Sequence, residues 1–212
     1  GVVMALLGTP TPTLGESPLP GSAIAPFVRV LGTAQDGGFP HAGCACDRCS
    51  LARSEPTRSR RIASLAVVLP ESQTIYLIDA TPDVRQQLAA LRDLRPAPAH
   101  RVDRHPIDGV LLTHAHIGHY LGLAFFGYEA IHTRHLPVLA TPRMSAYLRA
   151  NGPWSQLVAF ENIQLHELSP NARHRLSDQV TVTAIQAPHR DEYADTLGFL
   201  LTGPRRSVFY LP

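Results

Sequence analysis

Short apolar runs, separated by polar segments rich in glycine and proline, dominate the chain from residue 27 onward. Runs of four to eight residues that are rich in β-branched and aromatic side chains favour strands over helices. The pattern predicts ten strands: Phe27–Gly32, Ala63–Leu69, Thr74–Asp79, Asp108–Thr113, Leu136–Ala140, Gln156–Phe160, Ile163–Leu168, Val180–Gln186, Thr196–Thr202 and Ser207–Leu211.

Helical signals interrupt these strands. Thr81-Pro82 and Thr141-Pro142 each pair an N-capping residue with a proline suited to the first helical position, and the second helix is expected to end near Asn151-Gly152. A further helix is expected from His119 to Phe126, and the segment Cys44–Ser54 has some helical character. Because adjacent strands occur in groups, the order favours an α/β (α+β) fold with two sheets and helices on their outer faces.

Length and composition indicate one folded domain. The chain has 212 residues, is 44% hydrophobic and carries a formal net charge of +2. Residues 1–26 are expected to form a flexible, proline-rich leader, and residues 27–212 the domain itself. The apolar run of residues 1–8 is too short to span a bilayer, so no stable membrane insertion is expected. Ala23-Ile24-Ala25 is similar to a signal cleavage site, which keeps a periplasmic or secreted location open beside the default cytoplasmic one.

Charge patterning gives little sign of a macromolecular partner. No basic strip interleaved with aromatic residues is present, so a small-molecule substrate is expected rather than nucleic acid. Arg58, Arg60 and Arg61 form the densest basic patch. It is expected to be a solvated loop, with contact to an anionic substrate as the alternative.

Three histidines stand close together in Thr113-His114-Ala115-His116-Ile117-Gly118-His119, directly after an apolar run. On an extended backbone His114 and His116 point to the same side, and Gly118 lets the chain turn before His119. Adjacent neutral imidazoles compete for partners and charged ones repel each other, so a metal site explains the cluster better than a structural role does. His189 also follows a predicted strand, which allows two strand ends to meet at one metal.

The cysteines form a second candidate site. Cys44, Cys46 and Cys49 supply three of the four ligands of a structural zinc ion, with His41 as a local candidate for the fourth and a residue from outside this chain as the alternative. A disulfide between such near neighbours would be strained.

Two acidic features each allow a functional and a structural interpretation. Asp79 either partners a metal-bound histidine or caps a turn, and Asp191, Glu192 and Asp195 read as a solvated acidic turn, with support of the histidines as the alternative.

The chain resembles the metallo-β-lactamase superfamily in three features that occur in the same order: Asp79, the motif from His114 to His119, and His189. Further similarity lies in the stretch from Leu31 to Pro40, in the cysteine loop and in Pro188-His189-Arg190-Asp191-Glu192-Tyr193, which resemble the pyrroloquinoline-quinone biosynthesis protein B group. The resemblance implies a four-layer αββα sandwich. It also implies metal ligation by His114, His116, His119 and His189, and a catalytic part for Asp79 and His119. Arg190 is a candidate for neutralising an anionic substrate.

The sequence departs from the family pattern at two points. Gly118 stands where the family has an aspartate that helps hold a second metal, so the second position is expected to be weak or empty and one ion (zinc, iron or manganese) is expected at the histidines. In addition, the bridging aspartate and last histidine that the family places beyond a strand such as Ser207–Leu211 are not in the sequence. The domain is therefore expected to lack its C-terminal part.

Three functional hypotheses follow. The first is a metal-dependent hydrolase of an ester or phosphodiester, in which Phe125, Phe126 and Trp154 either line a pocket or pack in the core. The second is an iron-dependent oxidative or accessory role in pyrroloquinoline-quinone formation, as the resemblance implies. The third is a non-catalytic metal-binding protein with a degenerate site.

Overall fold

The computed structural model describes the backbone of residues 3–7, and residues 25–96 and 98–212 in full. Eleven strands are assigned in this part of the chain: β1 Val3–Leu7, β2 Phe27–Gly32, β3 Ser64–Leu69, β4 Thr74–Ile78, β5 Gly109–Leu111, β6 Leu136–Ala140, β7 Ile163–Glu167, β8 Arg173–Arg175, β9 Thr181–Gln186, β10 Leu197–Thr202 and β11 Ser207–Leu211. The helices are α1 Asp47–Ser54, α2 Val84–Ala89, α3 Ile117–Tyr120, α4 Pro142–Ala150 and α5 Trp154–Ala159, with 3-10 turns at Pro56–Arg58 and Leu121–Phe126.

The strands form two sheets. One has the order β1-β11-β10-β9-β8 and is antiparallel throughout. The other has the order β2-β3-β4-β5-β6-β7, and its strands from β4 to β7 run parallel to one another. Parallel strands end at the same edge of a sheet, so the loops after β4 and β5 lie side by side.

Successive side chains of β3 point to opposite faces of its sheet, and each face packs against a different layer. All six residues of this strand are buried. Ala66 and Val68 join a cluster on the helix-covered face of the sheet, whereas Leu65 and Val67 join a second cluster that fills the space between the two sheets. A strand covered on both faces reads as a continuous apolar run, and each large side chain buried in this way stabilises the fold by about 1.5–3 kcal/mol.

The helices cover the outer face of the β2–β7 sheet. Val84 of α2, Leu148 of α4 and Leu157 of α5 all belong to the same buried cluster as the outward-facing residues of that sheet. The predicted α/β class with two packed sheets is confirmed. Of the two outer helical layers of the predicted four-layer αββα sandwich, the described residues form the one on the β2–β7 sheet.

Several local predictions need correction. The strand predicted at Gln156–Phe160 lies instead in and just after α5, in which Trp154 and Leu157, three positions apart, are buried. The helix predicted from His119 is the short α3 followed by the 3-10 turn Leu121–Phe126. Helix α2 begins at Val84 rather than at Pro82, and Thr81 accepts a hydrogen bond from the N–H of Asp83 in the turn before it.

The N-terminal segment also differs in part from the expected leader. Backbone pairing of Val3–Leu7 with Leu211–Ser207 makes this segment an edge strand, whereas the rest of the proposed leader up to residue 24 lies outside the described residues. The short strand β8 was not predicted, since its sequence Arg-His-Arg has no apolar signal. Among the described residues, no helix combines the length and apolar character that a bilayer crossing requires.

Candidate metal centre

The candidate site lies at the edge where the two sheets meet. Asp79 directly follows β4, and Thr113 and His114 follow the neighbouring strand β5. The loop after β9 carries His189, and the backbone N–H of Leu197 donates to the carbonyl of Thr113 over 2.9 Å. Strand ends from both sheets are therefore joined at this point.

Three imidazoles converge at this edge. Nε2 of His114 lies 2.9 Å from Nδ1 of His116, and Nε2 of His189 lies 3.2 Å from the same Nδ1. The three ligand atoms all lie within 4.8 Å of one another. A tetrahedral ion with bonds of about 2.0–2.1 Å sets its nitrogen ligands roughly 3.4 Å apart. The donor set therefore fits a single cation shared by His114, His116 and His189.

The second nitrogens of two of these rings are also engaged. Thr113 Oγ1 lies 2.9 Å from Nδ1 of His114, and a carboxylate oxygen of Glu192 lies 2.9 Å from Nε2 of His116. Partners of this kind orient the imidazoles that ligate a metal. Arg143 of α4 donates to the carbonyls of Asp191 and Glu192 and so holds the loop that carries His189.

Electrostatics favour the neutral form of two imidazoles in this cluster, those of His114 and His189. Burial, with the neighbouring imidazoles His119, His116 and His189 adding to it, lowers the pKa of His114 to about 2. Burial and the neighbouring His116 also lower the pKa of His189. A neutral imidazole has a free lone pair, so His114 can serve as a ligand at neutral pH without first losing a proton.

His119 lies beside the triad, with its ring centroid 4.2 Å from that of His114. Its Nδ1 contacts the carboxylate of Asp79 at 2.7 Å. Asp79 is fully buried and also accepts hydrogen bonds from the N–H and hydroxyl of Thr113 and from the hydroxyl of Tyr210. Its backbone has a φ of 63°, a conformation that aspartate tolerates better than most residues. Asp79 therefore fixes His119 as well as the start of the histidine motif.

Asp36, in the glycine-rich turn after β2, faces the other side of His119. Its Oδ1 lies 3.3 Å from Nε2 of His119, and its Oδ2 accepts from the backbone N–H of Gly118 at 3.4 Å. The hydrogen bond to His119 lowers the pKa of Asp36 to about 2. Burial alone would lower the pKa of His119, but the carboxylates of Asp79 and Asp36 outweigh it and raise that pKa to about 9. Without a metal, His119 is thus an imidazolium between two carboxylates.

A glycine fixes the segment after the motif. The N–H of Gly122 donates to the carbonyl of Ala80 over 2.9 Å, and a Cβ at Gly122 would lie 2.0 Å from the carbonyl oxygen of Thr81. Only glycine permits this approach. The loops after β4 and β5 are therefore packed backbone to backbone directly behind the site.

The cysteine loop forms a separate cluster. The sulfur atoms of Cys44, Cys46 and Cys49 lie within 4.8 Å of one another, and all three cysteines are free thiols. The backbone N–H of Cys49 lowers the pKa of Cys46, which favours the thiolate that zinc binds. The ring of His41 is not in this cluster; its Nδ1 contacts the carbonyl of Ala42, and its backbone N–H donates to Cys49. His41 therefore does not supply a fourth ligand in this conformation.

The remaining predicted residues differ in whether they reach the site. Arg190 reaches the site, with Nη2 3.5 Å from Nε2 of His116. Phe126 and Trp154 are buried in the helix-side core and are not available to a substrate pocket there. Within the supposed solvated acidic turn, Glu192 contacts His116, and Asp191 accepts a hydrogen bond from Thr196.

The basic patch lies beside a cleft. Arg60 and Arg61, together with Asp36 and Ile117, line a cleft of about 830 Å³. Ile117 lies between His116 and Gly118, so this cleft reaches the edge of the histidine motif.

Comparisons with known proteins agree with this geometry. The model of the family described as a beta-lactamase superfamily domain matches residues 74–212. Coenzyme PQQ synthesis protein B of Cupriavidus necator is 32% identical over 203 residues, which cover 87% of this chain and 65% of that protein. The protein of the same name from Methylobacterium radiotolerans is 42% identical over 97 residues, or 45% of this chain and 32% of that protein.

A solved structure shows the same architecture. The crystal structure of Zn(2+)-bound PqqB from Methylobacterium extorquens superimposes with a TM-score of 0.69 and 27% sequence identity, covering 84% of this chain and 62% of that one. The chain thus spans less than two thirds of the length of these relatives. On the family match, the fold and the order of its motifs, the chain belongs to the metallo-β-lactamase superfamily and is a PqqB-like member of it.

Proposed function

We propose that this protein is a metal-dependent hydrolase that activates water at a cation held by His114, His116 and His189. The observation that carries the proposal is the convergence of three imidazole nitrogens from two strand ends, within 4.8 Å of one another. A triad of this kind leaves an open position, which is typical of catalytic rather than structural metal sites.

When bound, a divalent cation at this triad supplies an activated water and polarises the substrate oxygen under attack. Thr113 and Glu192 hold the rings of His114 and His116 in the orientation that ligation needs. The guanidinium of Arg190 is exposed beside His116, where it can neutralise an anionic oxygen of the substrate. Its charge favours a phosphodiester or another anionic ester as the substrate class.

The nearby cleft supports an anionic substrate. Arg60 and Arg61 line it, and it has room for a small molecule of ordinary metabolite size. We propose that the remote part of the substrate lies in this cleft while its scissile bond faces the triad.

Imidazole ligands suit zinc, iron and manganese, so the donor set leaves all three open at the histidines. At Cys44, Cys46 and Cys49 we propose a structural zinc, because thiolates favour it and because the cysteines staple the loop that leads into α1. Its contribution is to folding rather than to turnover.

Turnover of bis(p-nitrophenyl) phosphate and p-nitrophenyl acetate, after loading with each metal in turn, tests the hydrolase proposal. We expect zinc or manganese to support hydrolysis of the phosphodiester, and the variant His116→Ala to abolish it. The variant His166→Ala is the matched control, since His166 is an exposed histidine of the edge strand β7, two strands away from β5. Equal rates in the His116→Ala variant and the unaltered protein would contradict the proposal.

A second function is supported by the relatives. The curated proteins that the chain resembles are named for coenzyme PQQ synthesis, and the matching crystal structure is of PqqB. We propose as the alternative an oxidative or accessory role in that synthesis, with iron at the histidine triad and a modified tyrosine or quinone precursor as the substrate. Oxygen uptake that depends on iron and on such a precursor, without phosphodiester turnover, would favour it. Metal at the cysteines alone would indicate a non-catalytic protein.

A further inference from the structure

The backbone of Gly118 is covered by the side chain of Asp36. A Cβ at position 118 would lie 2.6 Å from both Cγ and Oδ1 of Asp36 and 2.9 Å from its Cα, distances that real Cβ atoms essentially never show. A side chain at position 118 and Asp36 in its present place therefore exclude each other. One carboxylate lies at this point, and it comes from 82 positions earlier in the chain rather than from the histidine motif.

The carboxylate of Asp36 is aimed at one atom of the site. Its Oδ1 lies 3.3 Å from Nε2 of His119, while Asp79 holds the opposite nitrogen of that ring at 2.7 Å. His119 cannot turn away from Asp36 without giving up its contact with the fully buried Asp79. The side chain of Asp36 is 36% exposed, so an ion from solvent can reach the pair.

We propose that Asp36 and His119 hold a second divalent cation beside the triad, with Asp36 supplying the carboxylate that Gly118 cannot. The ring of His119 lies against that of His114, which places this cation next to the one bound by the triad. One imidazole and one carboxylate leave several positions for water and for oxygen atoms of an anionic substrate. With two protein ligands, this cation binds more weakly than the one at the triad.

The inference rests on the proposed hydrolase function, because a second cation beside the first is the arrangement that clamps both the attacking and the leaving oxygen of a phosphodiester. It predicts that the position is filled only at raised metal concentration. It also predicts a reciprocal relation between residues 36 and 118, since either can carry the carboxylate but both cannot.

Equilibrium dialysis of the full chain against graded Mn²⁺, with electron paramagnetic resonance of the bound ions, tests this proposal. The unaltered protein is expected to take up one weakly held ion more than the variant Asp36→Asn, and to show spin coupling between neighbouring ions. Asp36→Asn keeps the shape of the side chain but removes its charge. Folding is expected to be preserved because Asp36 is partly exposed and His119 keeps the closer, buried carboxylate of Asp79. Weak-site affinity should fall by roughly tenfold or more. Asp93→Asn is the control, because Asp93 pairs with Arg29 at the surface.

The variant Gly118→Asp is expected to be crowded and unstable on its own, whereas Asp36→Ala combined with Gly118→Asp should recover both stability and the weak ion. Unchanged weak-site affinity in Asp36→Asn would overturn the proposal. So would a double variant that folds but does not recover the ion. If the triad ion and phosphodiester turnover persist in these cases, only the role of Asp36 fails. Loss of ion binding at the triad itself would instead refute the hydrolase proposal.

Discussion

Replacing Asp79 by asparagine is expected to destabilise the protein by about 3–5 kcal/mol, as breaking a buried ion pair does. The carboxylate is fully buried and faces donors only: the N–H and hydroxyl of Thr113, the hydroxyl of Tyr210 and Nδ1 of His119. Asparagine has nearly the same shape, but it sets an N–H₂ group against these donors and leaves the buried imidazolium of His119 without its closest counter-charge.

Asparagine is preferable to alanine for this experiment because Asp79 has a positive φ, which asparagine also tolerates. Alanine would add backbone strain to the loss of hydrogen bonds, and the two effects could not be separated. The matched control is again Asp93→Asn. Asp93 forms an exposed ion pair with Arg29 at 2.6 Å, and such pairs contribute about 0–1 kcal/mol.

Urea unfolding, followed by circular dichroism and by the fluorescence of Trp154, measures both variants with and without saturating zinc. For a domain of this size the expected loss for Asp79→Asn corresponds to a fall in Tm on the order of 10 °C. The metal-free measurement isolates the hydrogen-bond network from any effect on ion binding. A change for Asp79→Asn no larger than that for Asp93→Asn would refute the reasoning that the donors around Asp79 depend on its charge.

Three further predictions concern the two candidate metal clusters and pH. His116→Ala is expected to remove one metal ion per chain and leave the fold intact, as measured by elemental analysis and circular dichroism. Cys46→Ser is expected to lower the Tm, because a structural zinc contributes to folding. In the metal-free protein, the raised pKa of His119, about 9 against 6.5 in an unfolded chain, contributes up to about 3 kcal/mol below pH 6.5. That stability is lost as pH rises through 9, which urea midpoints at pH 6 and 9.5 would show.

Each of these predictions has its own control. His166→Ala should keep the full metal content, and equal content in His116→Ala would argue against the triad. Ser50→Ala, in the same helix as Cys49, should leave the Tm unchanged, and a Tm for Cys46→Ser equal to it would argue against the structural zinc. His119→Gln should flatten the pH dependence between pH 6.5 and 9.5, and an unaltered slope would mean that other groups cause it.

Apolar patterning was sufficient to predict most of the sheet framework. Strands such as β3 and β9 have runs of β-branched residues with few competing signals, so their positions were predicted to within a residue or two. The segment from residue 156 to 160 was assigned wrongly because Leu157 and Val158 are adjacent apolar residues, as in a strand. Only Leu157 is fully buried there, and its spacing from the buried Trp154 is helical.

The candidate site was predictable where its residues stand in one short motif, and not where the fold brings distant residues together. His114, His116 and His189 follow strands, a signal that the sequence carries. Asp36 lies in a glycine-rich turn with no periodicity, and its contact with His119 depends on how that turn packs against the histidine motif. Glu192 was favoured as a solvent-facing residue because a short acidic run is usually exposed, and its contact with His116 is set by the path of the loop after β9.

The hydrogen bond between Leu197 and Thr113 ties the start of β10 to the segment that follows β5, and so links the two sheets beside the triad. It joins segments that are far apart in the chain, and the three imidazoles can meet only when the two sheets have docked on each other. A cation at the triad would therefore bind the docked sheets and not the separated ones. Such a cation would shift the unfolding equilibrium toward the folded state by an amount that grows with its concentration and its affinity.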